Sequence, residues 1–272
     1  MSCIERAPRL SVIMGAYNVA SLTVFHKAMD SVLGQTMGDF EFIICDDGST
    51  DETWQLLKEL DDRDRRVRLI QNPKNRGLAA SLNHCLEHAR GELIARQDAD
   101  DISAPERFQK QLNFLDANPE IGFVGCNVTL WDETGNWGER QFPECPQAKD
   151  FLFTMPFVHG TLMFRRGALD AVEGYRVAKE TRRAEDYDML MRMYAAGLRG
   201  ANLQERLYAF LEDRAAQKRR KYRYRLDEAV VRWKGFRGLG LMPGALPYVV
   251  KPLAVGLIPG GILRGLKRQR RY

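Results

Sequence analysis

Histidine is scarce in this chain, four residues among 272. No Ser–His or Cys–His arrangement stands out, so catalysis through an activated side-chain nucleophile finds no support. The five cysteines (Cys3, Cys45, Cys85, Cys126 and Cys145) are odd in number and scattered, with no C-x-x-C pair. That argues against a disulfide framework or a cysteine zinc site and for a reducing compartment. The opening residues, Met1-Ser2-Cys3-Ile4-Glu5-Arg6, lack an apolar signal core, so a cytoplasmic protein is expected. Residues 239–263 are apolar apart from Lys251 and long enough to cross a bilayer, yet Pro243, Pro247, Pro252, Pro259 and five glycines interrupt them. A regular spanning helix is not expected there. Internal repeats and low-complexity segments are also missing.

What is present is ordinary in bulk and uneven in charge. The hydrophobic share of 44% and charged share of 28% are those of a globular protein of one domain or one and a half. Residues 214–272 hold 16 Lys/Arg against only Asp227 and Glu228, a balance of +14. The overall charge of +5 therefore leaves −9 on residues 1–213. An acidic body with a basic tail implies a polyanionic partner for the tail. Residues 214–237 read as a basic helix with Tyr222, Leu226, Val230 and Trp233 along one face. With the apolar Pro/Gly-rich run and Arg264, Lys267, Arg268, Arg270 and Arg271 behind it, this tail fits an anionic membrane face.

Periodicity resolves the first half into alternating elements. Apolar runs at 10–14, 40–45 and 67–70, and the run ending at Arg96, read as strands. Helical spacing follows at 21–33, around Trp54 to Leu60, at 78–89 and at 107–118. Ser49 with Glu52, and Ser103 with Glu106, read as capping boxes that open the second and fourth helices. Four strand–helix units imply a Rossmann-like α/β sandwich with a mainly parallel central sheet. The texture changes at Ile121. A β run to Leu130, a turn at 132–136 and a return strand to Phe142 predict a hairpin, and a helix begins at Glu185 before a last strand at 202–210.

The densest chemistry lies where the fourth strand stops, at Asp98-Ala99-Asp100-Asp101. Crowded carboxylates repel unless a cation sits among them, and hard divalent ions prefer oxygen, so Mg²⁺ or Mn²⁺ with a phosphate-bearing substrate is expected. Asp46-Asp47 ends the second strand in the same way. Acids at two strand ends share the rim where open α/β sheets bind ligands.

Taken in order, Ser11-Val12-Ile13-Met14-Gly15-Ala16-Tyr17-Asn18, Asp46-Asp47-Gly48-Ser49-Thr50-Asp51, Asn75-Arg76-Gly77, Asp98-Ala99-Asp100-Asp101 and Glu185-Asp186 resemble the family 2 glycosyltransferases of the GT-A fold. The likeness is greatest to bacterial enzymes of capsular and exopolysaccharide assembly. It covers residues 9–212, although the family more often has a proline before the Tyr-Asn. The resemblance implies inverting transfer of a sugar from a nucleoside diphosphate donor, usually a UDP-sugar, to an acceptor hydroxyl. It matches Asp47 to the acid on the nucleotide base, Ala16 and Tyr17 to the loop lining base and ribose, and Arg76 to a position near the uracil. Asp98 matches the acid on donor ribose or sugar, Asp100 the metal ligand bridging to diphosphate, and Asp186 the general base. The expected layout is a glycosyltransferase domain over 1–212, with a nucleotide-sugar half (1–120) and an acceptor half (121–212). A membrane-associating tail occupies 213–272. The expected acceptor is a saccharide, lipid-linked, at the inner face of the cell membrane.

Other residues carry plainer readings. Glu185 and Asp188 compete with Asp186 for the base role. Asp47 has helix capping as its alternative, and Asp46 is the better structural partner. His159 lines the acceptor side, completes the metal shell or makes structural hydrogen bonds, and the sequence leaves these open. Arg165 and Arg166 read as a solvated pair, Trp131 and Trp137 as hairpin packing. His84 and His88 read as surface residues without an acid of metal-site type. Two rival functions lack their signatures. A nucleotidyltransferase acting on sugar phosphates needs a basic Gly-rich loop after the first strand, and Gly15-Ala16-Tyr17-Asn18-Val19-Ala20 has no Lys or Arg. A nucleic-acid-binding protein built on the tail would carry a recognition motif, and none is found, so no nucleic-acid partner is expected.

Overall fold

Alternation of side chains across one sheet builds two large cores, beside a smaller third around Cys126, Val128 and Leu207, in this computed structural model, which describes residues 6–19, 23–212 and 222–257. In β1 (Leu10–Ala16), Leu10, Val12 and Met14 face one core and Ile13 the other. In β2 (Phe40–Asp46), Phe40, Phe42 and Ile44 are set against Ile43 and Cys45 in the same manner. Helices α1 (Phe25–Leu33), α2 (Thr53–Arg63) and α4 (Arg107–Ala117) contribute to the first core. On the other face lie α3 (Leu78–His88), the short α5 (Arg166–Asp170) and α6 (Glu185–Ala195), with α7 (Arg223–Gly238) and α8 (Leu246–Leu257) outside them.

The expectation of a mainly parallel sheet holds only for the first half. Strands β3 (Val67–Gln71), β2, β1 and β4 (Leu93–Arg96) run parallel in that spatial order. Beyond β4 the sheet is mixed. The short β8 (Met163–Arg165) is antiparallel to β4, and β6 (Phe123–Asp132) is antiparallel to β8. Strand β9 (Gly200–Leu211) runs parallel to β6 and pairs antiparallel with the two-residue β5 (Ile102–Ser103). The β6 hairpin forms as expected, its return strand β7 being Gly135–Arg140. The order 3-2-1-4 is that of right-handed βαβ units. The sheet changes character at β4, which carries the acidic loop at its end.

Neither expected capping box exists. Helix α2 starts at Thr53 and α4 at Arg107, each without a side-chain cap bond. Ser49 Oγ donates instead to Asp46 (2.5 Å), and Ser103 Oγ to Gln97 (2.7 Å). Both serines tie loops together rather than start helices. Arg165 and Arg166 are not solvated either. Arg165 donates to the backbone carbonyls of Ile121 and Leu115, and Arg166 to that of Gly91.

The expected basic helix is seen from Arg223 onward; residues 213–221, and the basic cluster beyond 257, lie outside the described residues. Helix α7 buries Ala229, Val231, Arg232 and Phe236 and leaves Tyr222, Leu226, Val230 and Trp233 exposed. Helix α8 runs through Pro252, and among the described residues no helix is long and apolar enough to cross a membrane.

Candidate active site

Parallel register brings the ends of β1 and β2 together, with Ala16 beside Asp46. The Asp47 N–H donates to the Ala16 carbonyl (2.8 Å). Asp46 is wholly buried and accepts from Ser49 and from Gln71 Nε2 (2.8 Å), which closes the turn after β2. Asn18 at the end of the first loop accepts the Thr50 N–H (2.9 Å) and locks the two loops to each other. The Asp47 carboxylate does not cap its own helix. One oxygen accepts from Asn72 Nδ2 (2.8 Å) and the Arg76 N–H (2.9 Å), the other from the Gly77 N–H (2.8 Å). It thereby holds the 72–77 loop at the start of α3. Gly48 takes φ +68°, and a Cβ there would lie 2.6 Å from the Lys74 backbone, so only glycine admits this approach.

These loops wall a cleft of about 680 Å³. Ala16, Tyr17, Asp47 and Arg76 line it from the first half of the chain, and Arg183, Glu185 and Tyr224 from the second. Lys179, Arg182 and Arg183 make part of the lining basic, and the Arg183 guanidinium stacks 4.6 Å from the Tyr224 ring. Arg183 has φ +66°, an uncommon conformation for a residue with a side chain. Five residues singled out in the sequence thus converge on one cleft, while Asp98, Asp100, Asp186 and His159 belong to a polar layer in which the acids are half-buried and His159 is buried.

That layer is organised by a residue the sequence reading passed over. Arg96, wholly buried on β4, donates to Asp98 Oδ1 (2.5 Å), and its Nε and Nη1 find no partner among the described residues. The Asp98 N–H donates to the Tyr208 hydroxyl (3.2 Å). Gly160 packs against both: a Cβ there would stand 2.7 Å from Asp98 Oδ2 and closer still to the Tyr208 oxygen. Arg107, also wholly buried, supports the loop from below, donating to the Arg96 carbonyl (2.7 Å) and to Gln97 (2.9 Å). The signal for Arg96 was a charge closing an apolar run just ahead of three acids.

The acids differ in their surroundings. Burial and the neighbouring Asp98 push the Asp100 carboxyl up to about 6. Asp101 is buried, accepts the Leu211 N–H (2.7 Å) and so fastens the loop to β9. At the start of α6, burial and the adjacent Glu185 push Asp186 up to about 7. Asp188 is not a free competitor for the base role, being paired with Arg176 (2.6 Å) and Arg192 (2.9 Å). His159 Nε2 meets the Tyr175 hydroxyl (2.8 Å), and burial, with Arg96 nearby, holds the ring neutral. Asp98, Asp100 and His159 do not gather into a three-ligand set. Two half-buried carboxylates, Asp98 and Asp100, are still an oxygen donor set that a hard divalent cation fits.

The description "Glycosyl transferase family 2" matches residues 11–177. The Bacillus subtilis protein EpsE, named as a glycosyltransferase, is 40% identical over 98% of this chain and 96% of its own length. The amylovoran biosynthesis glycosyltransferase AmsE of Erwinia amylovora is 26% identical over 96% of this chain and 98% of its own. Among solved structures, S. aureus TarS in complex with UDP-GlcNAc superposes with a TM-score of 0.70 at 18% identity, over 89% of this chain and 73% of that one, a likeness of fold. A matching family profile over more than half the chain, together with a near full-length relative, places this protein in glycosyltransferase family 2.

Proposed function

We propose that this chain is an inverting glycosyltransferase that moves a sugar from a UDP-sugar to a hydroxyl of a lipid-linked saccharide during cell-surface polysaccharide synthesis. The observation that carries the reading is the single cleft shared by the Asp47–Arg76 loop and by Glu185 at the start of the base helix. In this reading Ala16 and Tyr17 line base and ribose, and Asp47 meets the base edge while keeping the Arg76 loop in place. Asp98, oriented by Arg96, faces the donor ribose or sugar. Asp100 would hold Mg²⁺ or Mn²⁺, which when bound supplies charge stabilisation to the departing diphosphate. Asp186 takes the proton of the acceptor hydroxyl as that oxygen bonds to the anomeric carbon and the bond to UDP breaks. A carboxyl pushed up to about 7 is suited to that exchange near neutral pH. His159, neutral and bonded to Tyr175, positions this layer instead of completing the metal shell. The basic wall at Lys179, Arg182 and Arg183 suits the phosphates of donor or acceptor.

The tail reading is supported by α7. Its outward stripe of Tyr222, Leu226, Val230 and Trp233, set among basic residues, fits an anionic bilayer surface, and a peripheral place at the inner membrane face follows. The division at residue 212 into a catalytic domain and a membrane-associating tail is part of the same proposal. The test is thermal stabilisation by a panel of nucleotide sugars with Mn²⁺, followed by turnover of the stabilising donor. Stabilisation by UDP-sugars, with inverted product, is expected; indifference to every nucleotide sugar would overturn the reading.

A further inference from the structure

We propose that α3 carries a second metal site, built by His84, Glu87 and His88 and suited to a transition ion of the Zn²⁺ class. It does not depend on the transfer reaction proposed above. Positions 84, 87 and 88 share one helix face. Each offers a ligand atom within 4.8 Å of the other two, so the acid missing from the sequence reading is Glu87 itself.

The hydrogen bonds around the rings fix which nitrogen is free. Asn72 Nδ2 donates to Asp47 Oδ1 (2.8 Å) and Ser81 Oγ (3.1 Å), which orients the Asn72 amide and leaves its Oδ1 as an acceptor. His84 Nδ1 lies 3.0 Å from that oxygen and must therefore carry the hydrogen. His88 Nδ1 lies 3.0 Å from the His84 backbone carbonyl, which can only accept, so it carries the hydrogen as well. In the neutral form each ring keeps its lone pair on Nε2, the atom a metal takes. An Nδ1–H donated to a carbonyl is the outer-shell support that orients metal-bound imidazoles. Cys45 Sγ, 3.8 Å from His84 Nδ1, sits on the same inner side.

Two imidazoles and a carboxylate form a three-ligand set with a fourth position open to water, the pattern of an accessible zinc site. Nitrogen ligands separate this site from the all-oxygen loop at Asp98 and Asp100, which favours Mg²⁺ or Mn²⁺. Glu87 and His88 are exposed and free to close on the ion, whereas His84 is anchored through Asn72 to Asp47. A loaded site would therefore brace the loop that walls the nucleotide cleft.

The test is calorimetric titration of the tag-free full chain with Zn²⁺ in millimolar Mg²⁺, using wild type, Asp100→Ala, His88→Ala and Glu87→Gln. One equivalent of Zn²⁺ is expected in wild type and in Asp100→Ala, with affinity at least tenfold weaker in His88→Ala and weakened in Glu87→Gln. His88 is exposed, so its loss leaves the fold intact, and an unchanged melting temperature without metal checks this. Visible Co²⁺ bands bleached by Zn²⁺ give a second readout. Absence of a zinc equivalent, or zinc binding kept in His88→Ala and lost in Asp100→Ala, would overturn the proposal.

Discussion

Asp47 Oδ1 accepts the backbone N–H of Arg76 at 2.9 Å, so the acid expected on the nucleotide base also fixes the loop expected beside it. Recognition and loop position rest on one carboxylate. In Asp47→Ala the part-buried amides of Arg76 and Gly77 lose their acceptor, at about 0.5–1.5 kcal/mol per bond. The expected result is a lower melting temperature together with UDP affinity reduced more than tenfold. Calorimetry with UDP and uridine checks this, and uridine affinity equal to wild type would remove Asp47 from the base.

Asp186→Asn keeps shape and removes the proton acceptor. Turnover is expected to fall by roughly a hundred- to ten-thousand-fold with UDP-sugar affinity unchanged. Because Asp186 is pushed up to about 7, it is protonated in acid and ionised above neutrality. Wild-type kcat should therefore rise as pH passes through about 7. A flat profile between pH 6 and 8 would assign the base elsewhere.

Asp100 makes a stability prediction with a definite sign. Its carboxyl stands at about 6 in the fold against 3.8 when unperturbed, so the folded state holds the proton more tightly. Stability from this group is complete below about 3.8 and is lost as pH rises through about 6. Relative to Asp100→Asn, the metal-free wild type should lose melting temperature between pH 4 and 7. Mn²⁺ should restore it at pH 7 and add less at pH 5. In Asp100→Ala, metal-dependent UDP affinity should vanish.

Gly160→Ala places a methyl group against Asp98 Oδ2 and the Tyr208 hydroxyl. Overpacking of this kind costs about 1–3 kcal/mol. Moving Asp98 should also raise the donor KM several-fold, measurable by initial rates, while Gly167→Ala, with open space around it, should do neither.

On the outer face of α7, Leu226→Glu with Trp233→Glu should weaken binding to phosphatidylglycerol vesicles and leave UDP affinity untouched. Sedimentation with vesicles reads the first and calorimetry the second. Equal sedimentation of variant and wild type would detach the stripe from any lipid role.

The first half of the fold was legible because its strands and helices carry period-two and helical patterns that local burial enforces. Ile13 against Val12 and Met14, and Phe25 with Ala28, Met29 and Val32, show the two periods directly. The second half was less so, since β8 and the β5–β9 pairing are set by partners distant in sequence. Both capping boxes failed for one reason. The oxygens that would have accepted a helix N–H accept elsewhere, Ser49 Oγ from the Asn18 N–H and Ser103 Oγ from Arg107 Nη1, and the helices start only after Glu52 and Glu106. Ala16, Tyr17, Asp47, Arg76 and Glu185 could be read as motif residues and do share a cleft. In the polar layer Asp98, Asp100, Asp186 and His159 could be named as well, but Arg96, Tyr175 and Tyr208 could not, because they come from separate stretches that only folding brings side by side.

The seating of α7 on α6 bears on how the protein can be trimmed or recombined. Gly235 lies so close to Met191 that an added Cβ would collide with the thioether, and Phe236 fills the same core. A truncation at 212 would strip this cover from the helix that carries Glu185 and Asp186. Chimeras that exchange the final helices between relatives should therefore keep α6 and α7 from one parent, with the crossover placed upstream of both.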